Sequence, residues 1–153
     1  MKFKRMASVL VLLTAANAPV VEPYAVVCEG TANFFHSGIA PKRMPTGKQV
    51  FVIDIPHRRI TIALEPRQIF APVCGADGIA TKANISPRII TVRQFSRSFE
   101  GNSETCSFEL DRRNGNAKYE LSLENQNRKD GFKWFMNCQR TMVPVFNTNG
   151  NKF

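Results

Sequence analysis

Apolar and polar residues alternate along most of the chain after Val26, which is the pattern of half-buried β-strands. Two such runs flank "PHRR" (56–59), where a proline and basic residues interrupt the alternation. Side chains two positions apart lie on the same face of a strand, so each run places one apolar row on one side. We therefore predict a β-hairpin here. Its apolar rows are Phe51, Ile53 and Ile55, then Ile60, Ile62 and Leu64.

The stretch "TCSFELDRRNGNAKYELSLENQ" (105–126) repeats this design around a polar loop. The loop contains Asn114 and Gly115, and both residue types tolerate the positive φ of tight hairpin turns. We interpret the loop as the turn of a second hairpin and not as a working site. Its apolar rows are Cys106, Phe108 and Leu110, then Ala117, Tyr119, Leu121 and Leu123.

A third alternating run, "FKWFMNC" (132–138), follows another polar break and extends these strands into a meander. Phe132, Trp134, Met136 and Cys138 share one face of this strand. The alternation predicts that Trp134 points into the core. Phe135 is on the opposite face and must be covered elsewhere or contact a partner.

These runs predict an all-β domain, a small antiparallel meander of about six to eight strands with little or no helix after the N-terminal segment. Pro66, Pro72 and Pro87 break the middle of the chain into loops. The apolar face must be buried, either by closure into a barrel or in a compact sandwich. Closure is preferred because it removes the two exposed edges of an open meander.

The N-terminus has the layout of a bacterial secretory signal peptide. Lys2, Lys4 and Arg5 precede the apolar run "MASVLVLLTAANA" (6–18), which ends in small residues. A membrane-spanning helix needs about 20 predominantly apolar residues, and this run is shorter. We expect a signal peptide over 1–25 with cleavage between 16 and 25. A single β domain over 26–146 and a polar tail over 147–153 should follow, secreted or periplasmic and with no transmembrane segment.

Four cysteines in an exported chain predict two disulfides. A zinc site would place cysteines in close pairs or near a histidine, and neither pattern occurs. We predict that Cys28 pairs with Cys138, because closing a barrel makes the first and last strands neighbours. Cys74 then pairs with Cys106.

The formal net charge is +9, and it falls to +7 once the signal peptide's three basic residues and Glu22 are removed. A basic balance favours anionic partners, such as anionic lipid or acidic glycans. Two arginine pairs in the predicted turns are the candidate anion contacts, and the alternative is that they are solvated turn residues. These residues are Arg58, Arg59, Arg112 and Arg113.

Nucleic acid is a further anionic partner to consider. In "RQFSRSF" the residues Arg93, Phe95, Arg97 and Phe99 would share a strand face, and rings interleaved with cations form stacking platforms. The alternative is a strand whose aromatic side chains point inward. Export removes most of the opportunity, so nucleic-acid binding is not expected.

No arrangement of residues predicts catalysis. Asp54 lies three residues before His57, but a hairpin tip offers little shelter for a general base, and His36 is also in loop-like sequence. No nucleophile elbow, phosphate loop or dinucleotide fingerprint occurs, and the acidic residues are too scattered for a calcium loop. We expect a non-enzymatic protein with no cofactor and no bound metal.

Three segments resemble small exported bacterial β-proteins of unknown function. They are "VVCEGTANF" (26–34), "FELDRRNGNAKYEL" (108–121) and "KWFMNCQRT" (133–141). In those proteins a C-E-G-T opening is followed by β-hairpins, a D-R-x-x-G turn and a last strand ending in cysteine. The second cysteine pair, Cys74 and Cys106, departs from that pattern. The resemblance implies an exported disulfide-containing β-protein and brings no activity.

A weaker likeness is to bacterial periplasmic lysozyme inhibitors, small exported β-barrels with cysteines near both ends. A +7 chain would repel a basic lysozyme at long range, which counts against this likeness. We therefore expect a monomeric binding or cell-envelope module whose partner is an envelope protein, a glycan or an anionic surface. The alternatives are an inhibitor of an envelope-directed enzyme and a hydrolase with an unrecognised site.

Overall fold

The computed structural model describes residues 22–64, 69–76, 79–97 and 101–145. Within these ranges the chain forms eleven β-strands and no helix. No helix long and apolar enough to cross a membrane occurs in them. Residues 1–21 of the predicted signal peptide and the polar tail lie outside the described residues, whereas residues 22–25 are described and include the start of the first strand at Tyr24. The strands are β1 Tyr24–His36, β2 Ile39–Asp54, β3 Arg59–Leu64, β4 Ile69–Pro72, β5 Gly75–Ala76, β6 Ile79–Ala80, β7 Asn84–Ile85, β8 Ile89–Arg97, β9 Ser103–Asp111, β10 Asn116–Asn125 and β11 Arg128–Thr141.

Nine of the strands form one antiparallel sheet in the order β4-β3-β2-β1-β11-β10-β9-β8-β7, and β5 and β6 form a separate hairpin. The predicted all-β, antiparallel class is confirmed. The number of strands exceeds the expected six to eight, because β4 to β7 are only two to four residues long. Strands this short cannot show a recognisable alternation, so the sequence predicts loops in its proline-rich middle.

The sheet curls into a half-barrel. Phe51 in β2 and Phe108 in β9 are four strand spacings apart, which is about 19 Å in a flat sheet. Their ring centroids are nevertheless 4.9 Å apart, so the sheet must bend around them. The core fills the inside of this curl, and its largest fully buried side chains are Phe51, Phe108, Ile53, Ile60, Ile90 and Cys28.

The edges of the sheet differ from the expectation of a closed barrel. The first and last strands do pair, but they lie at the centre of the sheet, so the edges β4 and β7 come from the middle of the chain. No ladder joins these two edges within the described ranges. Instead, the segment Val73–Cys74 crosses the opening. The amide of Val73 donates to the carbonyl of Ile60 in β3 (3.1 Å), and Cys74 is bonded to Cys106 in β9.

The two disulfides have the predicted connectivity. Cys28 and Cys138 face each other directly in the β1–β11 ladder, and Cys74 is bonded to Cys106. Both predicted hairpins are also present. They are β2–β3 around residues 55–58 and β9–β10 around residues 112–115.

The strand β11 has the predicted orientation. Trp134 is partly buried and packs against the core cluster, whereas Phe135 is on the convex face and is 45% exposed. Phe95 lies on the same convex face and is also exposed. Phe99, which the stacking-platform hypothesis required, lies outside the described residues.

The first half of β2, residues 39–49, pairs with β1 on one side, and no described strand pairs with its other side. A free edge of this kind could pair with another chain. Prolines cannot donate to a new ladder, and charged side chains oppose such pairing. This half-strand carries Pro41, Lys42, Arg43, Pro45 and Lys48.

Candidate functional site

One end of the half-barrel carries the two arginine pairs that the sequence singled out. The β2–β3 and β9–β10 turns lie at this end, β8 begins there, and β11 ends there. The register adds two arginines that sequence reasoning missed, one just before β8 and one near the end of β11. We call this surface the arginine end, and all six of its arginines are exposed: Arg58, Arg59, Arg88, Arg112, Arg113 and Arg140.

The segment 83–88 connects the two turns. At one side, Ala83 donates its amide to the carbonyl of Arg58 (2.8 Å), and Arg58 Nε donates to the carbonyl of Ala83 (2.9 Å). At the other, the amide of Arg112 donates to the carbonyl of Arg88 (2.8 Å), and Arg112 Nη1 donates to the carbonyl of Ser86 (3.0 Å). The two arginine pairs are therefore fixed at one end by backbone contacts.

The arginines differ in the contacts that their side chains already make within the protein. Arg58 has φ = 53°, an uncommon value for a residue other than glycine, and its side chain is held by Ala83. Its role at the turn is therefore partly structural. Arg140 lies over the ring of Tyr24, 4.7 Å from its centroid, in a cation–π contact. A shallow cavity of about 390 Å³ lies between Tyr24, Arg112, Arg113 and Arg140.

Two carboxylates lie on the same turns. Asp111 accepts a hydrogen bond from the amide of Arg113 (2.9 Å) and lies 3.9 Å from Arg88 Nε. Asp54 contacts His57, with 2.8 Å between Oδ2 and Nδ1. Six arginines against two turn carboxylates leave this end strongly basic.

Apolar residues are exposed directly after β11, which ends at the arginine end. Met142 is 88% exposed and Val145 is 95% exposed, and Val143 lies between them in the sequence. Exposed apolar side chains beside a basic surface are a combination found in proteins that bind membrane surfaces.

The Asp54–His57 pair has the contact that a catalytic dyad would need. His57 is nevertheless 68% exposed, and it lies on the β2–β3 turn and not in a cleft. A general base works best in a sheltered position.

A second surface, which we call the open groove, lies at the other end of the strands on the concave face. Here the curl is not filled by the core, and a cavity of about 480 Å³ remains. Residues of β8, β9, β10 and β11 line it. The side chains used below are Ser96, Glu104, Leu123, Arg128 and Asp130.

Aromatic side chains lie on the concave face between the open groove and the core. Phe132 and Trp134 stack with ring centroids 4.8 Å apart, and Tyr119 meets Trp134 edge-to-face at 5.4 Å. Phe34 continues the row toward β1, 6.2 Å from Phe132. The indole nitrogen of Trp134 is buried and has no hydrogen-bond partner among the described residues.

His36, Arg128 and Asp130 form a polar cluster beside the open groove. Asp130 Oδ1 lies 2.6 Å from His36 Nδ1, and Asp130 Oδ2 lies 2.6 Å from Arg128 Nε. The sequence placed His36 in a loop with no partner. Only the pairing of β1 with β11, which places His36 opposite Asp130, reveals this contact.

Tyr119 packs against the core and contacts the ring of Trp134. Burial raises the pKa of its phenol, and the charge of Glu104 raises it further. Both effects disfavour the phenolate. Tyr119 is therefore a neutral hydrogen-bond donor over the physiological pH range.

Comparison of the chain with protein-family models, with curated proteins and with solved structures gives no match.

Proposed function

We propose that this protein is an exported, non-enzymatic cell-envelope module that binds an anionic lipid surface through the arginine end. The proposal rests on one observation: the fold collects six exposed arginines at one end, beside only two turn carboxylates. Two disulfides are consistent with an oxidising compartment outside the cytoplasm.

Electrostatics gives this surface its affinity. A basic residue close to an anionic membrane contributes about 1 kcal/mol. The contribution falls off within a Debye length, which is about 10 Å at 0.1 M salt. Arg58 has its Nε engaged with Ala83, so Arg112, Arg113 and Arg140 around the shallow cavity are the main contacts.

The exposed apolar residues favour lipid over a soluble acidic glycan. Met142, Val143 and Val145 follow the last strand at the arginine end. Such side chains can enter the boundary between headgroups and acyl chains, whereas a glycan in water offers them no apolar environment. A membrane surface would therefore engage both the cations and the apolar residues.

Vesicle co-sedimentation tests the proposal. The oxidised mature protein should bind vesicles of phosphatidylglycerol and phosphatidylcholine at low salt and detach as salt rises, and it should not bind phosphatidylcholine alone. The triple variant Arg112→Ala, Arg113→Ala, Arg140→Ala should lose about 3 kcal/mol, which is about 100-fold in affinity. The matched control Lys42→Ala, Arg43→Ala, Lys48→Ala removes the same charge from the free half of β2 and should bind nearly as the native protein does.

Two results would contradict the proposal. Equal binding by the arginine variant and its control would show that net charge, and not the arginine end, determines attachment. Binding to a soluble acidic polysaccharide, with none to anionic vesicles, would keep the arginine end as an anion site but reject lipid as its partner.

A further inference from the structure

The open groove contains one carboxylate that lacks a partner. Of the three carboxylates that line the cavity, Asp130 is paired with His36 and Arg128, and Glu124 lies 3.7 Å from Lys129. Glu104 has no hydrogen bond and no ion pair within the described part of the chain.

Glu104 is only partly exposed, and its setting is partly apolar. It lies opposite Leu123 in the β9–β10 ladder and opposite Ser96 in the β8–β9 ladder. Its charge also reaches Tyr119 strongly enough to raise the pKa of that phenol. Because this carboxylate has no partner within the described part of the chain, a cation bound beside it would gain a favourable charge–charge contact.

Apolar side chains are exposed at the open groove and beside it: Leu123 lines the cavity, and Phe34 and Phe132 lie next to it on the concave face. Leu123 is 51% exposed and Phe34 is 41% exposed, and Phe132 lies between their strands. Glu104 and Leu123 face each other in one concave row, and Phe132 and Phe34 face each other in the next row toward the core, so a diagonal path leads from the carboxylate in β9 to the ring in β1. This path crosses three strand spacings, about 14 Å along the sheet.

We propose that the open groove binds a small amphipathic organic cation. Its positively charged head lies against Glu104, and its apolar chain runs over Leu123 and Phe132 toward Phe34. The cavity of about 480 Å³ is within the usual range of small-molecule sites, about 300–1,000 Å³. An anionic amphiphile would meet the unpaired charge of Glu104 and be repelled.

This site is independent of the arginine end, because it lies at the other end of the strands and has the opposite preference for charge. Both surfaces could therefore be occupied in one molecule. The failure of either proposal leaves the other intact.

Titration with decyltrimethylammonium tests the site, with decanoate as the probe of opposite charge. Trp134 is the only tryptophan and stacks on Phe132, over which the apolar chain would run, so its emission should respond to occupancy, and calorimetry gives the affinity. Both probes are used below the concentrations at which they form micelles. We expect saturable binding of the ammonium probe and no comparable change with decanoate.

Two substitutions locate the binding. Glu104→Gln should weaken binding of the ammonium probe at least about tenfold, because a charge-assisted contact is lost. Leu123→Ser, at an exposed position, should weaken it through the apolar path without unfolding the protein. The matched control Glu109→Gln removes a carboxylate from the convex face of the same strand and should change nothing. The arginine-end triple variant should also bind the probe normally.

The proposal is overturned if Glu104→Gln binds the ammonium probe as the native protein does, or if decanoate produces the same saturable change in Trp134 emission. It is also overturned if neither probe binds to the folded protein.

Discussion

The hydroxyl of Tyr119 donates a 2.9 Å hydrogen bond to the carbonyl oxygen of Val73, a residue 46 positions earlier in the chain. This bond joins β10 to the segment that crosses the opening of the half-barrel. The ring of Tyr119 also contacts Phe108 in β9 and Trp134 in β11. One side chain therefore joins the segment that crosses the opening to the aromatic rings of β9 and β11.

Tyr119→Phe should lower the free energy of unfolding by about 1 kcal/mol, because the carbonyl of the buried Val73 loses this hydrogen bond. Urea unfolding at neutral pH measures the change. A variant as stable as the native protein would show that this bond does not hold the crossing segment.

The same tyrosine should make stability depend on pH in the alkaline range. Its folded-state pKa is raised above 10.0, first by burial and then by the charge of Glu104. The folded state therefore retains the proton more strongly than the unfolded state does. This contribution is complete below pH 10 and is lost as pH rises from there through the folded-state pKa.

Unfolding curves of the native protein, Tyr119→Phe and Glu104→Gln, measured at alkaline pH, check this pH dependence. Tyr119→Phe should remove the alkaline loss of stability that Tyr119 causes. Glu104→Gln should only reduce this loss, because burial still raises the pKa of Tyr119 when the charge at position 104 is gone. Native and Tyr119→Phe curves that fall in parallel above pH 10 would contradict it.

Gly115→Ala should be strongly destabilising. Gly115 has φ = 74° in the β9–β10 turn, and an added Cβ would overlap the carbonyl oxygen of Cys138. A positive φ costs about 1–2 kcal/mol in other residues, and the overlap adds to that cost. We expect a loss of at least about 2 kcal/mol in urea unfolding.

Gly47→Ala is the matched control for that substitution. A Cβ at Gly47 in β2 would meet no atom within 4 Å, and its φ is not in the left-handed region. Its unfolding free energy should change by less than about 0.5 kcal/mol. Equal losses of unfolding free energy for the two substitutions would show that the backbone at Gly115 can move away from Cys138 and relieve the overlap.

Alternation along the chain was sufficient to predict the longer strands and their faces. The row Cys106, Phe108 and Leu110 is buried as predicted, because a period of two determines which side of a strand faces the core. The disulfide between Cys28 and Cys138 followed from pairing the first strand with the last.

Other features depend on contacts between segments that are distant in the sequence, and no local sequence pattern predicts them. The position of Arg88 and Arg140 at the arginine end follows from the registers of β8 and β11. The contact of His36 with Asp130 depends on the β1–β11 ladder in the same way. The first and last strands pair at the centre of the sheet and not at its edges, so the half-barrel remains open. Alternation alone does not show whether these two strands pair at the centre of an open sheet or close a barrel.

Trp134→Ala should cost about 3 kcal/mol, near the lower end of the range for deleting a large buried ring, because the side chain is only partly buried. The loss comes from its stacking on Phe132 and its edge contact with Tyr119. Native Trp134 emission should be blue-shifted and move to the red on unfolding. Urea unfolding followed by circular dichroism measures the cost independently of the tryptophan.

Phe135→Ser tests the face assignment from the adjacent position. Phe135 lies on the convex face and is 45% exposed, so its removal should change the free energy of unfolding by less than about 1 kcal/mol and leave Trp134 emission unchanged. If Phe135→Ser were the more damaging substitution, or if native Trp134 emission were already water-like, β11 would present its other face to the core. The proposed path of the apolar chain would then lose Phe132, because Phe132 shares the face of Trp134.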